Sequence, residues 1–149
     1  MRLRKIISGG QTGADRTGLE CARALGLETG GTAPKGYKTE NGPDHSLKDF
    51  GVREALFADY PHRTRLNVLQ SDATLWFGTI GSPGYRCTKN AADEYARPFW
   101  VNPTRGEMRC MAEVYEVVNV AGNRLSKNPG VVKLVKDAFA WLRPQVDPQ

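Results

Sequence analysis

Ile6-Ile7-Ser8-Gly9-Gly10-Gln11-Thr12-Gly13-Ala14-Asp15-Arg16 is the stretch whose reading decides the fold. A short β-branched run enters a glycine-rich turn, and a helix follows to about Leu25, which predicts the strand–turn–helix unit of a parallel α/β sheet. In such a unit the turn lies at the carboxyl edge of the strand, where the first N–H groups of the helix favour an anion. Gly9, Gly10 and Gly13 permit close backbone approach, while Gln11, Thr12, Asp15 and Arg16 add polar groups of both signs. The spacing fits neither G-x-G-x-x-G nor a Walker A loop, since no Gly-Lys-Ser/Thr closes it. Two plainer readings stand beside this one: a tight turn without a ligand, and an Asp15 that only stabilises the helix dipole.

Outward from that turn, Lys5 to Ser8 reads as the first strand and Asp15 to Leu25 as the first helix. Leu19, Ala22 and Leu25, with Cys21, form the buried stripe of that helix, and Gly26 is its C-cap. Leu27 to Ala33 reads as a short strand, and Pro34-Lys35-Gly36 as a turn that directs Lys35 back over the first loop. Tyr37 to Ser46 reads as an exposed loop or flap, and Val52 to Phe57 as a marginal helix. Leu66 and Leu69 give a helical repeat within Arg63–Asp72. Ala73 to Phe77 is the clearest central strand; a second glycine-rich turn, Gly78 to Gly84, and a helix from Thr88 to Arg97 follow it. Phe99 to Val101 is the next strand, closed by Asn102-Pro103. Met108, Met111 and Ala112 line one helical face, with Cys110 read as core beside them. Tyr115 to Val120 is the last strand. Asn128 reads as N-cap and Pro129 as first residue of a closing helix. Val131, Leu134, Val135, Ala138, Phe139 and Leu142 form its apolar face, Pro144 stops it, and the residues beyond fray.

Strands alternating with helices predict helices on both faces of a mostly parallel sheet, with every βα loop on one edge. The candidate ligand residues are therefore Gly9, Gly10, Gln11, Thr12, Gly13, Asp15, Arg16, Lys35, Gly78, Thr79, Gly81, Ser82, Asn102, Gly122, Asn123 and Arg124. Together they suit a phosphorylated, polar, partly planar molecule, with Arg124 and secondarily Lys127 on the phosphate. Ser8 and Ser82 have no histidine partner, and Asp15, Asp72 and Glu94 form no recognisable acid–base pair, so binding without turnover is the expectation.

Whole-chain properties narrow the classes further. The 149 residues suffice for one domain, 1–149. No run reaches the roughly 18 apolar residues of a membrane span. The basic start, Met1 to Lys5, leads into a strand and not a signal-like segment, which gives a cytoplasmic expectation. Cys21, Cys87 and Cys110 are odd in number and widely spaced, and His45 and His62 stand apart, which argues against a disulfide framework or a metal cluster. The net charge of +5 comes from scattered residues, which suits a small anionic ligand better than nucleic acid.

The opening stretch, Pro34-Lys35-Gly36, Arg63-Thr64, Asn67-Val68, Ser71-Asp72-Ala73-Thr74-Leu75, and Asn119-Val120-Ala121-Gly122-Asn123-Arg124 with Ser126 and Pro129-Gly130 resemble the molybdenum cofactor carrier family over nearly the whole chain. The resemblance implies a Rossmann-like three-layer sandwich and a homo-oligomer. It also implies binding, protection and transfer of molybdopterin, a pterin dithiolene with a terminal phosphate, to a molybdoenzyme acceptor. More distantly the chain is similar to phosphoribohydrolases once described as lysine decarboxylases, which carry Pro-Gly-Gly-x-Gly-Thr and a catalytic glutamate. Here Tyr85-Arg86-Cys87-Thr88 follows Pro83-Gly84 and no glutamate stands in that place, which lowers a hydrolytic reading. An enzyme acting on a nucleotide derivative and a nucleotide-sensing module remain the alternatives.

Overall fold

The computed structural model describes residues 1–143. Six strands form one parallel sheet: β1 (Lys5–Ile7), β2 (Glu28–Ala33), β5 (Val52–Glu54), β6 (Ala73–Phe77), β7 (Phe99–Val101) and β8 (Val117–Gly122). Their order across the sheet is β5-β2-β1-β8-β6-β7. The last strand is thus inserted between β1, where Ile7 stands opposite Asn119, and β6, where Phe77 stands opposite Gly122. A separate hairpin pairs β3 (Lys38–Thr39) with β4 (Gly42–Pro43).

Alternation along the central strands sorts the two faces. Ile6, Leu75, Phe77, Val118 and Val120 point into one core with residues of α1 (Ala14–Ala24), α4 (Arg105–Val114) and α5 (Val131–Ala140). Full burial of a side chain such as Phe139 there stabilises the fold by about 1.5–3 kcal/mol. On the other face α2 (Tyr60–Leu69) packs against α3 (Pro83–Glu94) through Val68, Ala91 and Ala92. The result is the expected Rossmann-like α/β three-layer sandwich.

Several boundaries differ from the sequence reading, each for a local reason. Val52–Glu54 is a strand and not a helix, because β2 offers it a parallel edge; a 3-10 turn over His45–Phe50 leads into it. The flap is half structured: Tyr37 and Thr39 are buried, and Tyr37 packs in a small core with Leu19, Leu47 and Phe50. α2 begins at Tyr60, where Asp59 accepts from the His62 N–H and Pro61 occupies the first turn. Its inward residues are Asn67 and Val68, while Leu69 is exposed. α3 begins at Pro83, five residues earlier than expected, because Ser82 caps it through the Tyr85 N–H. Thr104 and Glu107 form a capping box that places Met108 and Met111 in the core but leaves Cys110 exposed. α5 starts after Gly130 and not at Pro129; Asn128 offers its backbone carbonyl to the Val131 N–H, and Leu134 faces solvent. Pro144 and the fraying expected beyond it lie outside the described residues.

Candidate ligand-binding site

The carboxyl edges of β1, β6 and β8 open into a cleft of about 680 Å³, within the range of about 300–1,000 Å³ typical of small-molecule sites. It descends from the edge loops onto the sheet face covered by α2 and α3. Tyr60, Arg63, Thr64 and Asn67 wall it from α2, at the spacing of one helical stripe. Pro83, Gly84, Cys87 and Thr88 wall it from α3. Trp76, Asn119 and Ala121 border it from the sheet. They can do so because Leu75, Phe77 and Val118 beside them point into the opposite core.

At the inner corner Asp15 is buried, and its Oδ2 accepts from the Gln11 N–H at 3.2 Å and from Arg63 Nη1 at 3.0 Å. Burial pushes the Asp15 carboxyl up; Arg63 and the N–H groups of Gln11 and Gly9 oppose that shift. Arg63 reaches this corner by lying flat on Gly9, where a Cβ would fall 1.5 Å from Nη1. Its guanidinium also sits 5.3 Å from the centre of the Tyr60 ring, and its Nε is buried without a partner among the described residues. Tyr60 in turn accepts from Gln11 Nε2 at 3.3 Å.

The expected residues divide into two groups. Gly9, Gln11, Asp15, Thr79, Ser82, Gly122, Asn123 and Arg124 border the cleft, and Lys127 joins them. The others build the frame around it. Gly10, at φ +75°, turns its open side to Leu47, and Gly13, at φ +82°, to the Asn123 carbonyl. Thr12 donates to Glu40, and Arg16 reaches Asp44 at 3.3 Å and Ser46 at 2.8 Å while stacking on Phe50. Lys35 is exposed away from the cleft. Asn102 clamps Gly78, accepting from its N–H at 2.8 Å and donating to its carbonyl at 2.9 Å. Gly81 lies open at φ +90° beyond the lining.

The glycine turn therefore differs from the expected anion cradle. The Gly10 N–H donates to Ser8 Oγ, Gln11 to Asp15, Thr12 to Gln11 Oε1 and Ala14 to the Asn123 carbonyl. Side chains of Ser8, Asp15 and Gln11 engage the first three donors, and a backbone carbonyl of the loop after β8 engages the fourth. Asn123 likewise holds the second turn, its Oδ1 accepting from the Thr79 N–H at 2.7 Å and from Asn128 Nδ2 at 3.1 Å. The exposed cations Arg124 and Lys127 stand at the mouth.

One frame contact spans three segments. The Glu40 carboxylate, on the β3–β4 hairpin, accepts from the Thr12 hydroxyl and from the Ser126 N–H at 3.3 Å. The Glu40 N–H donates to Gln11 Oε1 at 2.9 Å. Hydrogen bonds from Ser126 and Thr12 hold the Glu40 carboxyl below its usual range, and Arg124 adds to this. Asp72 and Glu94 lie elsewhere: Asp72 accepts from the Glu116 and Val117 N–H groups, and Glu94 is exposed at the end of α3.

Sequence reasoning passed over Tyr60, Trp76, Cys87 and Asn119 as site residues, and used Arg63 and Asn67 only for the resemblance. The polar stripe Tyr60-Arg63-Thr64-Asn67 carried the signal, since a stripe at that spacing lines one face. An apolar face was expected to point inward there. Among the described residues no group of histidines, cysteines and carboxylates is placed to hold a metal ion. No described helix is long and apolar enough to cross a membrane.

Fold and cleft together define a doubly wound α/β protein with a cleft of small-molecule size at the carboxyl edge of its sheet. The profile of the circularly permutated YpsA SLOG family matches residues 6–142, and the chain belongs to that family. A crystal structure at 1.45 Å resolution, from Syntrophus aciditrophicus SB, superposes with a TM-score of 0.84 and 30% identity over 96% of both chains. That protein is a molybdenum carrier by name, and the likeness bears out the resemblance read from the sequence. None of the curated proteins matches the chain.

Proposed function

We propose that the cleft carries the molybdenum cofactor, a pterin dithiolene with a terminal phosphate, and yields it to a molybdoenzyme without turning it over. The observation that carries this reading is the groove between α2 and α3. Its inner end offers hydrogen-bonding groups, its walls include Tyr60 and Trp76, and its mouth presents Arg124 and Lys127. An arginine fork suits the phosphate, and aromatic faces suit the ring. The name of the relative supports the same cargo. Absence of turnover is supported by the lining: Asp15 is the carboxylate that borders the cleft, its Oδ2 is shared by Gln11 and Arg63, and His45 and His62 are not part of that lining. A homo-oligomer belongs to the same proposal.

Calorimetric titration with molybdenum cofactor tests it. Arg124→Ala should weaken binding by about 1.5–3 kcal/mol at low ionic strength, less in high salt, with Arg124→Lys recovering part. Cofactor bound to the unaltered protein should restore activity to a cofactor-free molybdoenzyme. Failure to bind or to transfer refutes the carrier reading. One observation favours a second reading, an enzyme acting on a nucleotide derivative: a buried carboxyl with a raised pKa beside a cleft is the setting of a general acid. Release of base from nucleoside monophosphates, abolished by Asp15→Asn, would make that the better account.

A further inference from the structure

We infer that the inner end of the cleft reads the aminopyrimidinone edge shared by pterins and guanine, through the Asn119 carboxamide and the Arg63 guanidinium. The inference rests on the reading of the cleft as a ligand site and adds which ring it accepts and which end enters first. Asn119 is 3% exposed, on β8 opposite Ile7 and Thr74, and it borders the cleft. Its Nδ2 donates to Thr74 Oγ1 at 3.3 Å. That leaves Oδ1 as an acceptor, and no described residue donates to it. Arg63 offers the complementary lack: among the described residues Asp15 is the acceptor its guanidinium meets, and its Nε is buried without one.

Buried polar groups are normally paired, and the Arg63 guanidinium and Asn119 Oδ1, whose residues both border the cleft, are complemented at once by one kind of ring edge. A ring oxo group accepts from Arg63, while the adjacent ring N–H and exocyclic amine donate to Asn119 Oδ1. Adenine fails on the first count, presenting an amine where the oxo group belongs. Lumazine, in which a second oxo group replaces the pterin amine, fails on the second, setting an oxygen against Oδ1. Tyr60 and Trp76, which border the same space, supply faces for a flat heterocycle. With the ring inward, a phosphate on its substituent comes out toward Arg124 and Lys127 at the mouth.

Titration calorimetry of the full chain with GMP, IMP, pterin and lumazine tests the assignment. IMP and lumazine are the partners of GMP and pterin that lack the amine. GMP should bind about tenfold more tightly than IMP, and pterin about tenfold more tightly than lumazine. Asn119→Leu should bring both ratios close to unity, whereas Asn119→Asp, which keeps an acceptor there, should retain them. Whichever of pterin and GMP binds more tightly identifies the source of the ring edge. Equal affinity within both pairs in the unaltered protein overturns the inference and leaves the cleft as a ligand site. Ratios that persist in Asn119→Leu overturn the part given to Asn119. Absence of binding by all four probes removes the cleft reading and this inference together.

Discussion

Asp15 and Glu40 are tied to the same glycine turn, yet they respond to pH in opposite senses. The folded pKa of Asp15 is raised, so the stability linked to it is full below about pH 3.9 and is lost as pH rises through the folded value. The folded pKa of Glu40 is lowered, so its contribution is full above about pH 4.3 and is lost as pH falls through the folded value. Arg63→Met removes the charge that opposes burial at Asp15. The carboxyl should then titrate at higher pH by carbon-detected magnetic resonance, and denaturant midpoints should decline more steeply above pH 4 than in the unaltered protein. Breaking the buried pair should cost about 3–5 kcal/mol at neutral pH. An unchanged Asp15 titration would refute the coupling. At this scale the residues of the first turn were legible but their tasks were not. Gly9 was read as room for a ligand, and the side chain that fills that room is Arg63, which is 54 positions further along the chain.

Among elements, the β3–β4 hairpin stands apart from the main sheet, its two strands pairing with each other. Glu40 joins it to the Thr12 turn and to the Arg124–Lys127 turn, and Tyr37 roots its base. Glu40→Ala should therefore speed amide hydrogen exchange at Glu40, Asn41 and Ser126, while the amides of β1 and β8 keep their protection. Equal exchange in both proteins would show that Tyr37 and the neighbouring core suffice. Sequence periodicity recovered β6 and β7 residue for residue, because one is fully apolar and both end in turn signals. It failed at β5, whose three residues carry no strand pattern of their own and depend on the edge of β2. It placed α2 three residues late because the polar stripe that faces the cleft resembles a solvated face.

For the whole molecule, the alternation of strands and helices made the layered architecture legible, whereas the strand order required long-range pairing that no local pattern encodes. The same holds for the cleft, whose lining is assembled from α2, α3 and the sheet. Leu56, Phe57 and Ile80 are exposed on loops at the carboxyl edge, at 81%, 56% and 65%, and the proposed homo-oligomer would cover such surface. Light scattering across a range of concentrations should give a mass above that of one chain, and a monomeric mass throughout removes this part of the proposal. The position of β8 reaches further, into synthesis itself. Among the described strands it alone pairs with both β1 and β6, so the β5-β2-β1 and β6-β7 halves of the sheet stay unjoined until residues 117–122 have been made. Asn119, Gly122 and Asn123 arrive with that strand. A nascent chain thus lacks the completed cleft until that strand has been made and has paired on both sides.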